Sequence, residues 1–331
     1  MSKKLFSALA VVLSMVFLAP AHAEDDVRIA LVVKALGIGF FEAANQGAQE
    51  AAAELGDVEV IYTGPTSTTA EGQIEVITSL IAQRVDAIAV SANDTQALVP
   101  ILRRAQQRGI KVISWDSGVA EEGRLVHLNP SSNELIGRMN VSLAADALEQ
   151  KGVSSGQMAI LSATPTSTNQ NIWIDEMEKA LPEFSQLELV DTVYGDDMAD
   201  KSYREAVALL RNHPDLDVIV APTTVGILAA AQAVSDQGRV GEVYVTGLGL
   251  PSELAGHVAS GAIHNFAIWN PIDLGYSATM LAYNLVKGVG NDEEIPMGRM
   301  GVAELDADGS AAMSDPFIYD ASNVDEFASI F

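Results

Sequence analysis

The spacing of apolar and polar positions changes at regular intervals along the chain. Residues 27–34 form a nearly unbroken aliphatic run, which marks a strand buried on both faces. Residues 40–55 carry Phe, Ala and Glu at helical spacing and stop at Gly56. The same alternation predicts strands over 58–62, 86–91 and 111–115, a short extended segment over 125–128, and helices over 69–83 and 95–108. The pattern then restarts, with helices over 133–150, 169–180, 200–212, 225–237, 252–260 and 273–286. Between them lie predicted strands over 157–162, 187–194, 217–221, 242–246 and 265–268. Alternation of this kind means βαβ units, so the expected class is α/β with parallel sheets and helices on both faces.

The two halves also resemble each other. Val85-Asp86-Ala87-Ile88-Ala89-Val90-Ser91 matches Leu216-Asp217-Val218-Ile219-Val220-Ala221-Pro222. Each run is followed by a polar pair, an Ala-rich helix and another strand. Two similar αβα lobes lying side by side account for this repeat.

The first segment reads as an address. Lys3 and Lys4 precede an apolar stretch over 5–18, and Ala21-His22-Ala23 supplies the small residues that a signal peptidase reads. The apolar stretch is short of the ~20 residues that span a bilayer. A cleaved signal peptide over 1–23 is therefore expected, leading to a secreted or periplasmic chain. Composition narrows the function further. The formal net charge is −25 over 331 residues, which repels nucleic-acid backbones and anionic lipid. Removal of Lys3 and Lys4 takes that charge from −25 to −27. The chain has no cysteine, which excludes disulfides, zinc–thiolate sites and thiol nucleophiles.

Ligands in open α/β sheets sit at the carboxyl ends of strands. In the first half those ends hold Lys34, then Phe40 and Phe41, then Ser91 and Asp94, then Trp115 and Asp116. In the second half they hold Asn169, Gln170 and Trp173, then Pro222 and Thr224, then Leu248, and finally Trp269 and Asn270. All three tryptophans of the chain fall at or just beyond predicted strand ends, among amides and carboxylates. Flat aromatic faces cover the C–H face of a sugar while Asp, Asn, Gln and Lys bond its hydroxyls, so this set points to a carbohydrate cleft.

Other chemistries find weaker support. Gly37-Ile38-Gly39 follows a strand, but Glu42 stands where a dinucleotide loop needs a small residue at the pyrophosphate. The histidines beyond the address, at 127, 213, 257 and 264, lack metal-ligand spacing. Asp196, Asp197 and Asp200 cluster near Tyr194 without the pattern of a calcium loop, and read as a solvated loop. No nucleophile elbow is present. Neither cofactor nor metal is expected.

Several segments together resemble the periplasmic solute-binding proteins of ribose type that feed ATP-driven importers. They are Lys34-Ala35-Leu36-Gly37-Ile38-Gly39-Phe40-Phe41, Tyr62-Thr63-Gly64-Pro65-Thr66, Val90-Ser91-Ala92-Asn93-Asp94, Ser114-Trp115-Asp116-Ser117, Thr168-Asn169-Gln170-Asn171 and Ala221-Pro222-Thr223-Thr224. Within that family the chain is most similar to the rhamnose-binding branch, close to the binders of the quorum signal autoinducer-two. The resemblance implies a periplasmic binding protein of type I, with two lobes joined by three hinge strands and a ligand between them. The first lobe is then expected over 24–128 plus 269–295, and the second over 129–268 plus 296–331. Lys34 and Asp116 fall on the signal binders' ligand lysine and aspartate, and Gln170 and Pro222 also match. Asn169 stands where those proteins carry an aspartate, and Thr224 where they carry an alanine; both departures are compatible with a deoxyhexose.

The function so implied is binding without turnover: a monosaccharide, with rhamnose as the best fit, closes the two lobes and is handed to a membrane permease. The expected partners are that sugar and permease, with no nucleic acid, and the expected state is a monomer. Alternatives are binding of the quorum signal, or service as a periplasmic sugar sensor for a membrane receptor. A secreted sugar enzyme is the remaining class, opposed by the missing acid–base pair.

Overall fold

The structure is a computed structural model that describes residues 26–291 and 293–331; the address expected over 1–23 lies outside the described residues. In the first lobe, β1 (Val27–Val32) leads to α1 (Gly39–Leu55), β2 (Val58–Thr63), α2 (Ala70–Gln83), β3 (Ala87–Val90), α3 (Val99–Gln106), β4 (Lys111–Trp115) and β5 (Val126–Asn129). All four residues of β3 are buried, as an aliphatic run between two helical layers requires. The second lobe follows with α4 (Asn133–Lys151), β6 (Gly156–Ser162), α5 (Thr168–Ala180), β7 (Leu187–Tyr194), α6 (Ala199–Asn212) and β8 (Leu216–Ala221). It continues with α7 (Thr224–Asp236), β9 (Tyr244–Gly247), α8 (Pro251–Ser260) and β10 (Asn265–Ile268). The chain ends with α9 (Pro271–Lys287), β11 (Glu294–Pro296), β12 (Val302–Glu304), β13 (Ser310–Ala312), β14 (Phe317–Asp320) and the short α10 (Val324–Phe327).

The helix expected over 95–108 starts later. Asp94 accepts hydrogen bonds from the backbone N–H groups of Gln96 and Ala97, both at 2.8 Å. That side-chain turn competes with helix, which begins only where Pro100 fits the first turn.

The first sheet runs β2-β1-β3-β4-β5-β13, and every pairing in it is parallel. The second runs β7-β6-β8-β9, also parallel. It reaches β10 through a bridge between Leu248 and Ala267, and β14 lies antiparallel to β10. The two lobes thus share one strand order, and β3 and β8 are equivalent. The repeated aspartates do the same work in each lobe. Asp86 accepts the backbone N–H of Arg28 at 2.8 Å, and Asp217 accepts that of Gln157 at 2.9 Å. Each carboxylate therefore ties the start of the central strand to its neighbour.

The chain passes between lobes three times: after β5, after β10, and between β13 and β14. The middle passage sends α9 back against α1, where both helices thin to glycine. A Cβ on Gly47 would stand 1.7 Å from the carbonyl oxygen of Ile272, and one on Gly275 would stand 1.9 Å from that of Ala44. The tail departs from its expected place. Residues 296–331 are assigned to the second lobe in the sequence reading, but β13 pairs with β5 at the edge of the first sheet. An open parallel edge has unpaired backbone groups, and β13 satisfies them.

Candidate ligand site between the lobes

The strand ends of both sheets converge on a narrow cavity between the lobes. A polar chain crosses it. Lys34, just past β1, donates from Nζ to Asn169 Oδ1 at 2.8 Å and to Gln170 Oε1 at 2.9 Å. Asn169 in turn donates from Nδ2 to Asp116 Oδ1 at 3.0 Å, and Ser91 Oγ donates to Asp116 Oδ2 at 2.6 Å. Lys34 and Asp116 belong to the first lobe, Asn169 and Gln170 to the first turn of α5 in the second. A buried ammonium and a buried carboxylate are thus joined through one neutral amide.

These groups are almost sealed from solvent, with Lys34 at 2 % and Asp116 at 4 % exposure. Burial pushes Lys34 below the usual lysine value, opposed by the negative charges of Asp116 and Asp197. Burial pushes the Asp116 carboxyl up, opposed by the charge of Lys34 and the Ser91 hydrogen bond. Asp116 also has a left-handed backbone, φ 58°, at the turn out of β4; Asp tolerates this better than most side chains.

Aromatic rings form the wall. Phe40 packs edge-on to Trp269 at 6.2 Å between ring centroids, and Trp269 packs on Trp173 at 5.6 Å. This row runs from the first turn of α1 to α5, from one lobe to the other. Trp173 Nε1 donates to Asn133 at 2.8 Å. Trp269 Nε1 is buried and has no hydrogen-bond partner among the described residues.

The structure gathers Lys34, Phe40, Phe41, Asp116, Asn169, Gln170, Trp173, Pro222, Thr224, Leu248 and Trp269 around this cavity. Four expected residues stand elsewhere. Ser91 lies one layer out and orients Asp116. Trp115, although it ends β4, is wholly buried beneath Phe41 at 5.9 Å, because strand alternation turns it into the lobe core. Asp94 holds the turn before α3. Asn270 caps α9, accepting from the N–H of Ile272 at 2.9 Å. The cavity also includes Ile38 and Thr223, which follow β1 and β8, and Ile268 and Asp197. Asp197 follows β7 by only a short loop, and its position after a strand was the signal that could have found it. No group of metal-ligating side chains occurs among the described residues, and none of their helices is long and apolar enough to cross a membrane.

Two αβα lobes closing their strand ends on a polar and aromatic cavity define a two-lobed binding protein. Residues 29–290 match the family model of the periplasmic binding protein domain, and the chain belongs to that family. A curated relative is the D-ribose/D-allose-binding protein of Pseudomonas aeruginosa, 28 % identical over 74 % of this chain and 79 % of its own length. Among solved structures, an ABC transporter solute binding protein from Clostridium phytofermentas with bound L-rhamnose is 36 % identical, with a TM-score of 0.86. The alignment covers 92 % of this chain and 99 % of that one. The fold is shared as well by LsrB from Clostridium saccharobutylicum in complex with AI-2, at 24 % identity and a TM-score of 0.87, over 91 % of this chain and 99 % of that one. By that family membership this chain is a solute-binding protein and not an enzyme.

Proposed function

We propose that this chain is the sugar-binding component of an ABC importer and that its ligand is L-rhamnose. The assignment to sugar-binding proteins of the ABC transporter family is supported by the family match over 29–290 together with the similarity to the D-ribose/D-allose-binding protein and to the ABC transporter solute binding protein with bound L-rhamnose. The choice of L-rhamnose is carried by one observation. The Lys34–Asn169–Asp116 chain stands between aromatic walls in a protein 36 % identical, over 92 % of its length, to one with that sugar bound.

Each lining group has a role. Asp116 accepts hydrogen bonds from sugar hydroxyls, and Lys34 donates to another. Asn169 and Gln170 bring the second lobe onto the ligand. Phe40, Trp173 and Trp269 cover the C–H face or the methyl group, and Trp269 Nε1 is a spare donor for a ring or hydroxyl oxygen. Closure makes both lobes contact the sugar and presents one defined surface to the membrane permease. The mature protein is released into the periplasm by cleavage after Ala23 and acts as a monomer without nucleic acid.

The test is calorimetric titration with L-rhamnose, D-ribose, D-allose and AI-2. L-rhamnose is expected to bind tightest, and Asp116→Ala to weaken it by at least about 100-fold, since two hydrogen bonds to a charged group are worth about 3 kcal/mol or more together. Tighter binding of AI-2, or an unchanged affinity in Asp116→Ala, overturns the assignment.

A further inference from the structure

We propose that Asp197 is a specificity-determining residue of the cavity, whose carboxylate reads a ligand hydroxyl from the second lobe, across from Asp116. This rests on the sugar-binding reading above. The clustering of aspartates near Tyr194, taken alone, reads as an acidic, solvated loop. The fold instead brings Asp197 into the cavity wall, half-buried, in the turn between β7 and α6.

The turn is built to hold that side chain in place. Asp196 and Asp197 both have left-handed backbones, φ 57° and 50°. Two consecutive non-glycine residues in that region need outside support. The N–H of Gly195 bonds Ser162 and that of Asp196 bonds Ala163, at 2.9 Å each, so β6 fixes the turn from below. From the first lobe, Thr68 Oγ1 donates to the Asp196 carbonyl at 2.6 Å. The loop therefore forms only part of its contacts within its own lobe; the rest arise when the lobes meet.

The carboxylate itself is half-used. Its Oδ1 accepts from Thr223 Oγ1, which also caps α7. Its Oδ2 has no hydrogen-bond partner among the described residues and remains available. Lys34, Asp116 and Asp197 are the ionisable groups lining the cavity. Lys34 already serves two amide oxygens, so Asp197 supplies an acceptor that no neighbouring donor consumes. It also lines the outer groove formed with Leu36, Met198 and Tyr203, so it stands where solvent meets the inner cavity. An acceptor on the second lobe, facing one on the first, measures where hydroxyls project on both sides of the ring.

The experiment compares wild type, Asp197→Asn, Thr68→Val and Asp116→Ala by calorimetry. The probes are L-rhamnose and its monodeoxy analogues, one for each hydroxyl position. Asn is nearly isosteric and tolerates the left-handed backbone; Asp197→Gly is the second variant should the first fold poorly. Asp197→Asn is expected to weaken L-rhamnose at least tenfold, and that penalty to vanish for the one analogue lacking the hydroxyl that Asp197 reads. Thr68→Val, which alters only closure, is expected to weaken every sugar by the same factor. An Asp197→Asn affinity within twofold of wild type, or an equal penalty for all analogues, overturns the inference. If Asp116→Ala retains its loss in that case, the cavity assignment survives without Asp197; if it loses nothing either, the cavity assignment itself fails.

Discussion

Asn169 shows how much chemistry depends on a single atom type. Its amide accepts from Lys34 and the Gln170 N–H and donates to Asp116 at 3.0 Å. A carboxylate in its place would set two acids at hydrogen-bond distance, and they could not both stay ionised. His127 is the second residue whose environment decides its charge. Burial, reinforced by the charge of Arg124, pushes it down to about 4, while Asn129, Ser114 and Asp308 act the other way. Its imidazole meets Ser114 at 2.9 Å and Asn129 at 3.0 Å. The native state therefore keeps this histidine neutral where the unfolded chain, with a value near 6.5, takes up a proton. Its contribution to stability is complete above about pH 6.5 and is lost as pH falls from there towards 4. Between pH 7 and pH 5 the loss is about 2 kcal/mol. Urea denaturation at the two pH values checks this, with His127→Gln expected to remove that part of the difference.

Among the elements, the pairing of α1 with α9 matters most to the site. The sequence predicts both helices, yet nothing local indicates that they touch along Gly47 and Gly275. Glycine there lets two helix backbones approach until each residue meets a carbonyl of the other helix. Gly275→Ala inserts a methyl group against the Ala44 backbone, which cannot yield without moving the helix. We expect a loss of about 2–3 kcal/mol, read as a lower urea midpoint at an unchanged denaturant slope. Because Phe40 and Phe41 begin α1, displacement of that helix is also expected to weaken L-rhamnose. The strand ends were legible because sheet geometry sends every parallel strand's carboxyl end to one side. Trp115 and Asn270 show the limit: both sit at strand ends, but alternation buries one and the next helix recruits the other as its cap.

At the scale of the molecule, the two lobes meet through a small set of side-chain hydrogen bonds. Thr95 bonds Thr168 at 2.8 Å, Thr166 donates to the Asn93 carbonyl at 3.1 Å, and Thr68 reaches the Asp196 carbonyl. Together with the cross-lobe bonds of Lys34 and Asn169 in the cavity, these neutral bonds, each worth about 1 kcal/mol net, set the balance between open and closed forms. A ligand held by both lobes tips it. Small-angle scattering is expected to show a smaller radius of gyration on addition of L-rhamnose at a few times the wild-type Kd, and almost none of that change in Asp116→Ala at the same concentration. L-rhamnose at 100 times its Kd should add about 2.7 kcal/mol to stability, visible as a raised melting temperature.

The sequence by itself determined the α/β class, the internal repeat and most of the cavity wall. Those features follow from local periodicity and from the rule that places ligands at strand ends. It also determined that thiol chemistry plays no part, since the chain has no cysteine. Only the tertiary structure decided that β13 belongs to the first sheet, that Trp115 faces the core and that Asp197 faces the cavity. Each of these depends on contacts between segments far apart in the chain, such as β13 with β5 or Thr68 with Asp196. Charge and hydropathy describe what a residue tolerates; which neighbour finally surrounds it is fixed when the lobes pack.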